Sequence, residues 1–72
     1  MEDEILYKHI GCRIVEERKF RAYTQEDLAF LCNMDRTYLA RIESGKANPS
    51  IRVLNKISRK LRVKIYELLW GL

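Results

Sequence analysis

Three side chains in this sequence carry the elements of metal or covalent chemistry: His9, Cys12 and Cys32. His9 and Cys12 have a spacing that could chelate. A structural zinc wants four ligands, however, and Cys32 is the one thiol left to add, so no metal site is expected. Nucleophilic catalysis needs a base beside the nucleophile, and with a single histidine and no second His or Cys near either thiol that pairing is missing. Two cysteines are also too few for a disulfide scaffold. In a reducing cytosol both are expected in the core as small hydrophobes. No enzyme, cofactor or metal centre is legible in these residues.

Size and composition narrow the classes further. The 72 residues are expected to form one domain, 1–72, because a chain this short buries only about 60% of the surface its unfolded form exposes. A two-lobed enzyme with a deep cleft is excluded on that ground. Hydrophobic residues at 47% and charged ones at 33% mark a globular chain. Its longest apolar stretch falls far short of the roughly 20 residues that span a bilayer, so no membrane partner is expected. Fourteen Lys and Arg against 10 Asp and Glu leave a net charge of +4, which suits polyanionic partners. The N-terminus, Met1-Glu-Asp-Glu, opens with acids where a signal peptide has a basic segment and an apolar run, and a cytoplasmic protein is expected. No sensor domain or small-molecule pocket is visible.

The elements that must position any binding surface are helices. Apolar residues recur at helical spacing (Ile10 and Ile14; Leu28 and Leu31; Leu39 and Ile42; Val53, Leu54, Ile57 and Leu61), and sustained period-two alternation is absent. An all-α chain of five helices is expected. The first covers residues 5–19, with Gly11 inside it costing about 1 kcal/mol relative to alanine. Thr24, followed by Gln25, Glu26 and Asp27, forms a near capping box for a second helix over 25–32. Asn33 tolerates the left-handed turn, and Asp35 caps a third helix ending at Glu43. Ser44-Gly45 stops it. Ser50, after Pro49, caps a fourth over 51–61, and a short fifth covers 65–70.

The middle of this plan has a recognisable geometry. Two helices crossing steeply through a tight turn need three things: a small residue where their backbones meet, a residue that accepts left-handed φ, and apolar residues on the second helix's inner face. Ala29, Asn33, and Leu39 with Ile42 meet those demands at the right spacings. They define a helix-turn-helix.

Three runs then stand in order: Thr24-Gln-Glu-Asp-Leu-Ala, Asp35-Arg-Thr-Tyr-Leu-Ala-Arg-Ile-Glu-Ser-Gly-Lys, and Asn48-Pro-Ser-Ile-Arg-Val-Leu-Asn-Lys-Ile. Together they resemble the Cro/C1-type (XRE-family) helix-turn-helix DNA-binding domain, over roughly residues 9 to 69. Asp35-Arg-Thr-Tyr is similar to the controller proteins of restriction-modification systems. The resemblance implies a lambda-repressor-like fold with the third helix in the major groove, Arg36, Thr37 and Arg41 reading bases and Tyr38 at the groove edge. Chemistry agrees, since an arginine can hold guanine O6 and N7 with two hydrogen bonds, worth about 1–3 kcal/mol of discrimination. It also implies phosphate contacts from Gln25 and from Lys46, Asn48 and Ser50, which Arg52 either joins or accompanies as a plain surface charge. Arg18 and Glu43 align with a partly buried ion pair. Glu26 and Asp27 suit the start of their helix; a sharper role is an acidic patch for RNA polymerase. The sequence departs from the family at Ala22-Tyr23, where many members have Gly-Leu. Alanine is strained at positive φ, so that loop is expected to differ.

The last segment, Ile65-Tyr-Glu-Leu-Leu-Trp-Gly-Leu72, is unusually apolar for a terminus. A homodimer through Tyr66, Leu69 and Trp70 is therefore expected, doubling the contacts on a palindromic operator of double-stranded DNA. The expected function is a transcriptional regulator of a restriction-modification operon. The alternatives are a phage-type repressor or an antitoxin, and, from another class, a protein-interaction module that leaves DNA alone.

Overall fold

The computed structural model describes residues 3–71, so the acidic start at Met1-Glu2 and the apolar Leu72 lie outside the described residues. In chain order it holds α1 (Asp3–Phe20), α2 (Gln25–Leu31), α3 (Arg36–Glu43), α4 (Ile51–Leu61) and a 3₁₀ helix (Ile65–Leu68). The expected fifth α-helix over 65–70 is thus a 3₁₀ helix with a turn after it. Its start is set by Glu67, whose carboxylate accepts the Lys64 amide at 2.6 Å, and a four-residue element cannot sustain the i→i−4 ladder.

Helix starts follow the capping chemistry. Thr24 and Asp27 close a reciprocal box, the Asp27 amide donating to Thr24 Oγ1 at 3.0 Å and the Thr24 amide to Asp27 Oδ2 at 2.8 Å. Asp35 accepts from the Thr37 amide at 3.3 Å, and Ser50 from the Val53 amide at 3.1 Å. On α1 the dipole is matched at both ends, with Asp3 and Glu4 in the first turn and Arg18 and Lys19 in the last, which carries it two residues beyond the expected start and one beyond the expected end.

Helix ends follow one repeated device. After α1, α2, α3 and α4 the chain turns through a left-handed residue: Ala22 (φ 61°), Asn33 (φ 53°), Gly45 (φ 78°) and Arg62 (φ 61°). In each case the next amide reaches back five residues, as Tyr23 to the Arg18 carbonyl (3.0 Å), Met34 to Ala29 (2.9 Å), Lys46 to Arg41 (2.9 Å) and Val63 to Ser58 (3.0 Å). This is the Schellman termination, which satisfies the orphan carbonyls. The expected change of loop at Ala22 does not occur. The left-handed turn is kept, and an L side chain bears its strain of about 1–2 kcal/mol.

Ile10 and Ile14 from α1, Leu28, Ala29 and Cys32 from the α2 end, Leu39 and Ile42 from α3, Leu54, Ile57 and Leu61 from α4, and Leu68 form one buried cluster. Cys32 joins it, where burial pushes its thiol up from the ordinary range. Cys12 does not: it is exposed, because the buried face of α1 carries Ile10, Gly11, Ile14 and Arg18, and residue 12 points away. Gly11 leaves α1 unbroken and has a packing reason. A Cβ there would fall on the Glu43 carbonyl oxygen and 2.6 Å from that of Ile42, so only glycine lets α1 lie directly against the end of α3.

Two substitutions test these backbone constraints by chemical denaturation. Gly11→Ala should destabilise the fold by at least about 1–3 kcal/mol despite its better helix propensity, because backbone must shift. Ala22→Gly should stabilise it by about 1 kcal/mol, and no gain in midpoint would show the left-handed turn to be unstrained.

Candidate nucleic-acid interface

Helix α3 buries Leu39, Ile42 and Glu43 and turns Arg36, Thr37 and Arg41 to solvent. Thr37 and Arg41 are one turn apart and share a face, with Arg36 beside them in the first turn. Tyr38 is half-buried, its ring packed against the core cluster. Arg41 is not free-floating, since its Nη2 donates to the Lys46 carbonyl at 3.2 Å and so ties the end of α3 to the following loop. Lys46, Asn48, Ser50 and Arg52 are exposed along that loop and the start of α4, around a buried Pro49. The Ser50 hydroxyl oxygen is already the cap acceptor of α4, which leaves its hydrogen for an outside acceptor.

Beneath this surface lies a chain of polar bonds. Arg18 Nε donates to Glu43 Oε2 at 2.8 Å and Nη2 to Oε1 at 3.0 Å, a bidentate pair that is 9% and 8% exposed and therefore shielded from solvent. Arg18 Nη1 donates also to the Tyr23 carbonyl at 2.9 Å, fixing the loop before α2. Gln25 Nε2 donates to the same Glu43 carboxylate at 3.0 Å, and Gln25 Oε1 accepts from Arg36 Nη1 at 3.2 Å. Gln25 is thus half-buried and engaged on both sides rather than a freely exposed first-turn residue, with one amide hydrogen left for an outside acceptor. Among the described residues no buried side-chain nitrogen or oxygen lacks a partner, which is what makes an ion pair tolerable at this depth.

The bridging role of Gln25 leaves no sequence signal beyond a polar residue in the first turn. The same holds for three long side chains that reach carbonyls far along the chain: His9 Nε2 to Trp70 (2.5 Å), Arg13 Nε to Glu67 (3.1 Å) and Arg21 Nε to Leu61 (2.7 Å). The first two clamp the C-terminal segment onto α1. So held, Tyr66 and Trp70 remain 62% and 72% exposed and Leu69 37%, three large apolar side chains lining one shallow hollow. Glu26 is exposed on α2, whereas Asp27 is occupied in the capping box. Among the described residues no helix is long and apolar enough to cross a membrane.

A surface helix with solvent-exposed guanidinium groups, set by a tight turn on a buried support, defines a helix-turn-helix protein. Residues 14–68 match the HTH_3 Helix-turn-helix family, and the chain belongs to that family, the Cro/C1 or XRE type. Among its relatives is the HTH-type transcriptional regulator SinR of Bacillus subtilis, 39% identical over 61 residues that cover 83% of this chain and 55% of SinR. SinR in complex with DNA superposes with a TM-score of 0.78, at 39% identity over 83% of this chain and 97% of that one. Control protein C.BamHI of Bacillus amyloliquefaciens is 46% identical over 46 residues, 64% of this chain and 57% of its own. The restriction-modification controller protein C.AhdI of Aeromonas hydrophila superposes with a TM-score of 0.83 at 34% identity, over 86% of this chain and 94% of that one. The chain spans about half the length of the curated relatives SinR and C.BamHI.

Removing one half of the buried pair is the test of its structural weight. Glu43→Ala should cost about 3–5 kcal/mol in denaturation, since it strands Arg18 without a counter-charge. Gln25→Ala, which leaves the pair intact, should cost about 1 kcal/mol.

Proposed function

We propose that the protein is a sequence-specific DNA-binding regulator of transcription, acting in the cytoplasm as a homodimer on a two-fold operator, and that the operon it controls encodes a restriction-modification system. The observation that carries the DNA-binding reading is the outward face of α3, where Arg36, Thr37 and Arg41 meet solvent while every apolar side chain of the helix faces inward or is half-buried. Arg36 and Arg41 address base edges, and Thr37 contributes a hydroxyl and a methyl between them. Gln25, Lys46, Asn48, Ser50 and Tyr38 hold the phosphate and groove edge, adding affinity without sequence information. SinR, similar in sequence and fold, is known in complex with DNA, and C.AhdI is a restriction-modification controller, which supports the choice of class and of operon. Glu26 is the side chain this reading assigns to a polymerase contact.

The dimer rests on Tyr66, Leu69 and Trp70, presented by the clamped C-terminal segment. Two copies sharing that face would place two α3 helices on half-sites about one helical turn apart.

In a competition assay against the operator selected from a random DNA pool, Arg36→Ala should relax discrimination at one base position by about 1–3 kcal/mol. Unchanged preference would refute the assignment of α3. In sedimentation, the parent chain should form a dimer at micromolar concentration and Trp70→Ala should shift it toward monomer. A parent chain that stays monomeric at high micromolar concentration would remove the dimer.

A further inference from the structure

Charge is distributed very unevenly along this chain. Residues 44–66 hold seven basic side chains and no acid, while the other seven basic residues share the remainder with all ten acids. Much of the basic segment is α4, whose outward side chains Arg52, Asn55, Lys56, Arg59 and Lys60 line one groove. The three ion pairs among the described residues involve Arg13 and Arg18, so none of the described acids pairs with a cation of α4. The helix dipole accounts for Arg59 and Lys60, which sit in the last turn. It does not account for Arg52 or Lys56. Arg52 stands in the first turn, where α1 and α2 carry acids and α4 carries none.

The groove begins at Arg52, two residues past the cap of α4. Ser50 caps α4 at the end of the loop that Arg41 ties to α3 through the Lys46 carbonyl. From Arg52 to Arg59 the helix advances about 10 Å, at 1.5 Å per residue. That advance is long enough to set cations against two successive phosphates of one DNA strand. We propose that this face of α4 is a second phosphate-binding surface, on which Arg52, Lys56 and Arg59 seat the backbone of the same duplex outside the stretch that α3 reads. The proposal rests on α3 reading DNA. It turns Arg52 from an isolated surface charge into the first member of a set, and extends the footprint of each protomer beyond its half-site. The contact carries charge and no sequence information.

The test is a salt titration of binding to the selected operator duplex and to a mixed-sequence duplex. The variant Lys56→Gln/Arg59→Gln changes two exposed side chains and leaves the core alone. It should flatten the slope of log K against log salt by about 2, near 0.9 per lost phosphate contact, and weaken operator and mixed-sequence DNA by the same factor. An unchanged slope would make this face merely solvated and overturn the proposal. A shifted dimerisation concentration with an unchanged slope would overturn it in favour of a contact between copies. Arg36→Ala in the same assay separates the two claims: if it alters operator preference while the α4 variant changes nothing, only the α4 surface falls. If the parent protein binds neither duplex, the reading of α3 falls with it.

Discussion

The Arg18–Glu43 pair is the constraint on which the reading surface depends. Two bonds of 2.8 and 3.0 Å join α1 to the last residue of α3, and a third from Arg18 holds the Tyr23 carbonyl at the entrance to α2. Three elements are thereby fixed relative to one another by one guanidinium. Burial makes the arrangement demanding, because a charge removed from water is tolerable only when fully paired and hydrogen-bonded. That demand is what gives the pair orienting power. Any other placement of α3 would leave a buried charge alone, at a cost comparable to much of the stability of a small domain.

Glycine at position 11 and the bonded Gln25 complete this support from opposite sides. Without a side chain at Gly11, α1 lies against the carbonyl oxygens of Ile42 and Glu43 and sets the depth of the α3 end. Gln25 then passes the position of Glu43 outward to Arg36 through bonds of 3.0 and 3.2 Å, so the first guanidinium of α3 is pre-set before any ligand arrives. Holding a long side chain in advance reduces the ordering cost of binding. A rigid buried pair, a half-buried amide and an exposed arginine form one graded path from interior to surface.

Several local features were readable from residue types alone. Thr24, Asp35 and Ser50 each cap a helix because a short side-chain oxygen next to the first turn has a free amide to accept, whatever the rest of the chain does. Asn33 and Gly45 take left-handed φ for equally local reasons. Ala22 and Arg62 adopt the same geometry against their own preference. There the tertiary structure prevails: α1 must turn where Arg18 can reach Tyr23, and α4 must end where the 3₁₀ helix returns to α1. Residue type hid both turns, just as it placed Cys12 in a core that the packed face of α1 does not include.

Helical periodicity, caps and the spacing of Ala29, Asn33, Leu39 and Ile42 by themselves determine the fold class and the helix-turn-helix, because those signals act over one or two turns of chain. The tertiary structure alone decided that Gln25 links Glu43 to Arg36, that His9 and Arg13 hold the C-terminal segment so that Tyr66 and Trp70 stay exposed, and that the cations of α4 line one groove. Those facts depend on side chains meeting groups up to 61 positions away, and a bond to a distant backbone carbonyl requires nothing of the residue that owns it.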